Sequence, residues 1–200
     1  MISKDVYKQF EQQASELVES YTSQIKDQID NVQARFQKMV SADVEPGTSH
    51  CVDDLEERCL KFMDRLEAYA LQIYSSILSD FSKCYEKYVP NGERPEMPLL
   101  KFNFEVYVNS IKDGRRDIPR ADEKEKEPHV SQPFSSFYTA SMKILFGSTS
   151  EQRQKYDTYK DEVERAVNSA CMQIRGKLQR YVQKVKIAYD QMAYAECISK

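Results

Sequence analysis

The side chains best suited to chemistry in this sequence are a histidine and a cysteine that stand next to each other. His50 and Cys51 are the residue types of a nucleophilic pair, in which a base activates the sulfur. They fall where the stretch SADVEPGTSH joins two helical patterns, and adjacency along the chain does not by itself bring two side chains into hydrogen-bond contact. We therefore expect no catalysis at this pair.

The remaining polar residues form no catalytic pattern either. The carboxylate pairs Glu56–Glu57 and Glu123–Glu125 are expected on solvated surfaces, and the sequence lacks Gly-rich phosphate loops and the GxSxG nucleophile elbow. The 5 cysteines are irregularly spaced without a CxxC pair, which predicts reduced packing thiols rather than a metal site. The sequence thus predicts a protein that is not an enzyme and needs no cofactor.

Composition narrows the classes of partner. The net charge of -3 carries no basic footprint for nucleic acid. No run approaches the roughly 18 apolar residues that a membrane span needs, and the N-terminus has no apolar signal region. We expect a cytoplasmic protein that can associate peripherally with a membrane.

One short basic patch comprises Lys112, Arg115, Arg116 and Arg120. Its residues stand on both sides of Asp113-Gly114, a dipeptide typical of a tight turn. The patch is either a plain solvated turn or a contact for lipid headgroups or an acidic partner.

Three long helices are predicted from apolar residues that recur every three or four positions, over about residues 4–41, 52–89 and 150–198. Pro46 and Gly47 separate the first two helices by a short turn, which favours an antiparallel hairpin. Gly176 is expected at a close helix crossing. The third helix should overhang the hairpin, which leaves a C-terminal stripe for self-association or another helical protein, namely Ala188, Met192, Tyr194 and Ile198.

Residues 90–149 follow a different pattern and are expected to form a small β/loop excursion. Phe102, Phe104, Val106 and Val108 alternate with polar or half-polar residues, which predicts a strand. A charged loop, RADEKEKEP, comes next. Gly147 with the following Ser-Thr-Ser is expected to close the excursion.

The apolar stretch PFSSFYTASMKILFG, residues 133–147, interrupts a strongly polar chain. As a strand it would present one wholly apolar face and pair with residues 102–108, whereas as a helix it would be amphipathic. It either plugs the bundle end or forms an exposed tip for a membrane or partner. The candidate contact residues are Phe134, Phe137, Tyr138, Met142, Lys143, Ile144, Leu145 and Phe146.

The order of these segments resembles the C-terminal stalk-and-paddle region of bacterial dynamin-like GTPases. The resemblance rests on two long helices, the proline-punctuated RPEMPLLKFNFEVYV, the charged loop with its apolar tip, and a long return helix. It implies a stalk that self-assembles and a tip, residues 134–146, that touches lipid. No GTPase domain is present, so a GTPase would be another segment or chain.

These observations together predict a mainly α protein, an elongated antiparallel up-down-up bundle of three long helices in a single domain. Its expected function is that of a non-enzymatic, stalk-like assembly module with an apolar docking tip. The alternative is a protein-binding helical adaptor whose apolar segment is internal core.

Overall fold

The computed structural model describes residues 2–41, 49–116, 118 and 134–198, with side chains over 2–40, 52–116, 118 and 154–198. The described chain forms four helices and no strand, which confirms the mainly α prediction. They are α1 (Lys4–Ser41), α2 (Ser49–Tyr88), α3 (Glu105–Arg116) and α4 (Phe134–Ile198). The chain divides into two compact units: unit 1 combines residues 1–33, 65–102 and 171–200, and unit 2 combines residues 34–64 and 103–170.

In unit 1, α1 and α2 run antiparallel. Phe10 near the start of α1 packs edge-on against Tyr85 near the end of α2. Further along α1, the Tyr21 hydroxyl donates a 2.7 Å hydrogen bond to Asp80, which comes earlier in α2. The apolar positions that α1 and α2 bury here recur at helical spacing, as one packed stripe on each helix requires.

The direction of α4 in unit 1 differs from the prediction. Tyr74 of α2 packs against Tyr181 of α4, and Phe81, later in α2, stacks on Tyr189, later in α4. The later residue of α2 contacts the later residue of α4, so the two helices run parallel here. The expected up-down-up order is therefore wrong for unit 1.

The segment 89–104 explains this parallel arrangement. It contains Pro90, Pro95 and Pro98 and has no regular secondary structure. Near its start Arg94 pairs with Glu86 of α2, and near its end the Lys101 carbonyl accepts a 3.0 Å hydrogen bond from Lys177 of α4. These contacts show that the segment runs back along α2 and α4. Its prolines prevent it from forming a helix of its own. The expectation that consecutive helices are antiparallel holds for short turns and does not apply to this long connection.

The strand predicted over residues 102–108 is wrong, because helix α3 begins within this stretch, at Glu105. The Phe104 carbonyl accepts backbone hydrogen bonds from Tyr107 and Val108, so the first helical turn begins there. Phe104, Ile111 and Arg115 are buried at helical spacing, whereas Val106 is 57% exposed. The alternation of apolar residues that predicted a strand covers only a short stretch. The helical spacing of the buried residues extends further, to Arg115, and matches the observed conformation. The predicted turn at Asp113-Gly114 also lies inside this helix.

Helix α4 is 65 residues long and begins at Phe134 rather than near residue 150. The stretch 134–146 is therefore helical, so its strand reading is wrong and its helical reading is confirmed. Gly147 and the three residues after it do not end the segment, since the helix continues through them. In unit 2, α4 contributes buried side chains from Tyr156 onward.

The core of unit 2 is built from all four helices. Phe36 of α1 packs against Phe62 of α2 with ring centroids 4.9 Å apart. The other buried side chains come from α2, α3, α4 and the residue before α3, among them Leu55, Cys59, Met63, Phe104, Ile111, Tyr159, Val163 and Val167.

Candidate functional site

A buried arginine at the C-terminal end of α3 is the most unusual side chain of unit 2. Arg115 is 5% exposed, and among the side chains that the structure describes it is the only buried charged one. Its Nε and Nη2 donate to the same Asp53 oxygen of α2, at 3.0 and 2.6 Å. Nη1 donates to the carbonyl of Ile118, and Glu56 lies 3.9 Å from Nε. A buried cation needs such partners, because an unpaired charge is costly away from water.

Tyr159 of α4 extends this polar cluster. Its side chain is 1% exposed, and no hydrogen-bond partner for its hydroxyl is found within the described part of the chain. Burial raises the pKa of Tyr159, and the carboxylate of Glu56 raises it further, although Arg115 opposes this. The phenol therefore stays protonated at neutral pH. The cluster can hold helices together, but this tyrosine is not a base there.

Gly114 allows α3 to approach α4 closely. A Cβ at Gly114 would lie 2.5 Å from Oε2 of Glu162 and 3.2 Å from Cδ2 of Tyr159. The close crossing predicted at Gly176 is wrong, because among the described residues a Cβ there would meet Arg180 alone, at 3.9 Å. Of Gly114 and Gly176, the glycine at a close helix contact is thus the one that the sequence pattern placed in a turn.

Two open grooves lie on either side of this crossing, both within unit 2. The larger, about 880 Å³, has Val106, Tyr107, Asn109, Ser110 and Asp113 of α3 on one wall and Glu162, Arg165, Ala166 and Ser169 of α4 on the other. The smaller, about 360 Å³, lies between Ile118 and the start of the described α4 side chains, near Lys155 and Thr158. Acidic, basic and apolar groups are mixed in both, so neither groove selects one sign of charge.

The structure separates the predicted basic patch. Arg115 points inward, Arg116 is 79% exposed and pairs with Asp113 at 2.9 Å, and Lys112 is exposed. Arg120 lies outside the described residues. The reading of Arg115 as a solvated turn residue is wrong, because α3 continues through it and turns its side chain toward α2.

The predicted apolar tip occupies the first turns of α4. The backbone over 134–146 is helical, and the side chains of Phe134, Phe137, Tyr138, Met142, Lys143, Ile144, Leu145 and Phe146 lie outside those that the structure describes. Their contact role stays a prediction.

The C-terminal part of α4 does not overhang. Tyr189 packs against Tyr85, Tyr194 packs edge-on against Tyr7, and the Glu196 carbonyl accepts a hydrogen bond from Ile2. The buried stripe passes through Val185, Tyr189 and Ala193, about one residue from the predicted one. Of the four residues proposed for self-association, Ala188 and Met192 are half-buried, while Tyr194 and Ile198 are 51% and 58% exposed.

The candidate nucleophilic pair lies in the first turn of α2, and the side chains of His50 and Cys51 are outside the described set. Cys59, Cys84 and Cys171 are buried. Burial raises the pKa of the Cys171 thiol to about 11 and also raises that of Cys84, which suppresses their thiolates. Over the described ranges, no group of three or more His, Cys, Asp or Glu could hold a metal ion.

Comparison of the chain with models of protein families, with curated proteins and with solved structures found no match. Within the described residues, no helix combines the length and the apolar character that crossing a bilayer would require.

Sequence reasoning missed the partners of Arg115. Asp53 lies 62 residues from Arg115 along the chain, so no local pattern links the two residues. The one available signal was the helical spacing from Ile111 to Arg115, which places an arginine on the apolar face of α3.

Proposed function

We propose that this protein is a non-enzymatic helical module that docks on a membrane surface through residues 134–146 and associates with itself through α4. The order of segments along the sequence, which resembles that of the stalk-and-paddle region of bacterial dynamin-like GTPases, supports this reading. A GTPase domain or chain is the partner that the similarity implies.

The observation that carries the proposal is the continuity of α4. The helix begins at Phe134, so the apolar stretch is the N-terminal end of the same helix that packs in unit 2. Helical periodicity groups positions 134, 137, 138, 142 and 145 on one side and places Lys143 opposite them. An amphipathic helix of this kind buries its apolar side in the boundary between lipid headgroups and acyl chains.

The test is co-sedimentation with liposomes of the wild type and of Phe137→Asp/Leu145→Asp. Both substitutions fall on the apolar side, and a charge there opposes insertion. The matched control is Ser136→Asp/Thr139→Asp, which adds the same charge toward the opposite side. We expect the first variant to lose at least about tenfold in bound fraction, and the control to stay within about twofold, with helicity by circular dichroism unchanged in both.

A protein-binding adaptor with an internal apolar segment is the second candidate, and the same experiment separates the two. In that case the wild type does not sediment with liposomes, and Phe137→Asp/Leu145→Asp unfolds or aggregates because it buries unpaired charge. That pair of results would refute membrane docking.

A further inference from the structure

We propose that α3 is a switch helix: the Arg115–Asp53 ion pair holds it on unit 2, and its release presents an amphipathic basic surface to anionic lipid. This inference rests on the proposed function only for the identity of the target surface. The switch itself rests on the contacts of α3.

Helix α3 is short and buries few of its side chains. It is 12 residues long, and Ile111 and Arg115 are its buried residues. A helix of this length is marginal on its own, so its tertiary contacts decide whether it stays folded and docked. Open grooves lie beside its close approach to α4 at Gly114, so part of the surface between α3 and α4 is open to solvent. Segments with little buried apolar surface open at low free-energy cost.

One carboxylate, that of Asp53, accepts both of the hydrogen bonds that Arg115 donates to a side chain. Asp53 is the only side-chain acceptor within hydrogen-bond distance of Arg115 among the described residues, and its side chain is 51% exposed. Glu56 lies 3.9 Å from Nε, within ion-pair distance but beyond hydrogen-bond distance, and no partner for the buried Tyr159 hydroxyl is found among the described residues. If Asp53 loses its charge, the buried guanidinium loses its principal compensation, which favours the released state.

The released helix has the chemistry of an interfacial lipid-binding segment. Phe104, Tyr107, Val108 and Ile111 are apolar positions on one side at helical spacing. At the C-terminal end three cations, Lys112, Arg115 and Arg116, outnumber one acid, Asp113, which pairs with Arg116. In the docked state Ile111 and Arg115 are buried and are not available to a membrane. An anionic membrane can bind them only after release, so it shifts the population toward the released state.

Hydrogen–deuterium exchange of the full chain tests the switch without lipid. Asp53→Asn should speed exchange of the amides of 105–116 by about tenfold, with residues 65–88 and 171–198 unchanged. Asp64→Asn is the matched control, since it removes the same charge from an exposed position of the same helix. Unchanged exchange in α3, or faster exchange in every helix, would overturn the inference.

Binding to phosphatidylserine-containing vesicles, compared with phosphatidylcholine vesicles, tests the target. Asp53→Asn should bind the anionic vesicles about threefold or more tightly than the wild type, whereas Asp64→Asn and the double variant Asp53→Asn/Arg115→Gln should not. Equal gains for Asp53→Asn and Asp64→Asn, or no gain for Asp53→Asn, would refute lipid as the target. The two proposals have separate measurements. Exchange over 105–116 without lipid tests the switch, and liposome binding of the variants in 134–146 tests the proposed function, so either proposal can be refuted while the other stands.

Discussion

At the scale of single residues, replacing glycine by alanine should change the free energy of unfolding in opposite directions at Gly114 and Gly176. Gly114→Ala should lower the free energy of unfolding by about 1–2 kcal/mol, because Tyr159 is fully buried and cannot move away from the added methyl group. Gly176→Ala should raise it by about 0.5–1 kcal/mol, since the site is open and alanine favours helix. Urea titrations followed by circular dichroism would measure both changes, and a stabilised Gly114→Ala would contradict the close crossing.

The same residues show what sequence could and could not reveal. A glycine between Asp113 and Arg115 has the composition of a turn, and only the position of Tyr159 on another helix gives it a packing role. Likewise, Arg115 could be placed on a helical stripe, but its pairing with Asp53 depends on how α3 docks. Such long-range pairs leave no local pattern in one sequence.

At the scale of elements, the helices themselves were predictable and their arrangement was not. The regular apolar spacing that defines α1 and α2 is long enough to exclude a strand period. In contrast, the alternation over 102–108 is too short to decide, and the start of α4 was obscured by a glycine and three small polar residues. The parallel direction of α2 and α4 follows from the connector 89–104, whose path the sequence pattern does not specify.

Helix α4 also carries the prediction for self-association. Tyr194 packs one edge against Tyr7, but Tyr194 and Ile198 are both more than half exposed and one helical turn apart, so their exposed surface can contact a second copy. Tyr194→Asp/Ile198→Asp should shift the protein toward monomer in sedimentation velocity, with at least about tenfold weaker association. Gln183→Asp/Gln191→Asp, at exposed polar positions of the same helix, is the control. A purely monomeric wild type would refute this contact.

At the scale of the whole molecule, tyrosine ionisation should limit stability at alkaline pH. Burial and the Asp190 carboxylate raise the pKa of Tyr7 from 10.0 to about 12, and burial raises the pKa values of Tyr21, Tyr85 and Tyr159 as well. Above pH 10 the unfolded chain binds fewer protons than the folded one, so the free energy of unfolding falls as pH rises. The stabilisation is complete below pH 10 and is lost as pH rises toward about 12.

Spectrophotometric titration of tyrosinate, with circular dichroism at each pH, would measure this loss. We expect a group of tyrosines to ionise late and together with the loss of helix. Ionisation of every tyrosine near pH 10 with helicity intact would contradict the buried environments of these hydroxyls.

Membrane docking by residues 134–146 is the central claim, and hydrogen–deuterium exchange with and without liposomes tests it most directly. The measurement needs no substitution and reports the amides at the start of α4 themselves. We predict slower exchange over 134–146 when liposomes are added, with unit 1 unchanged. Unchanged exchange over 134–146 at a liposome concentration far above that needed for saturation would contradict the claim.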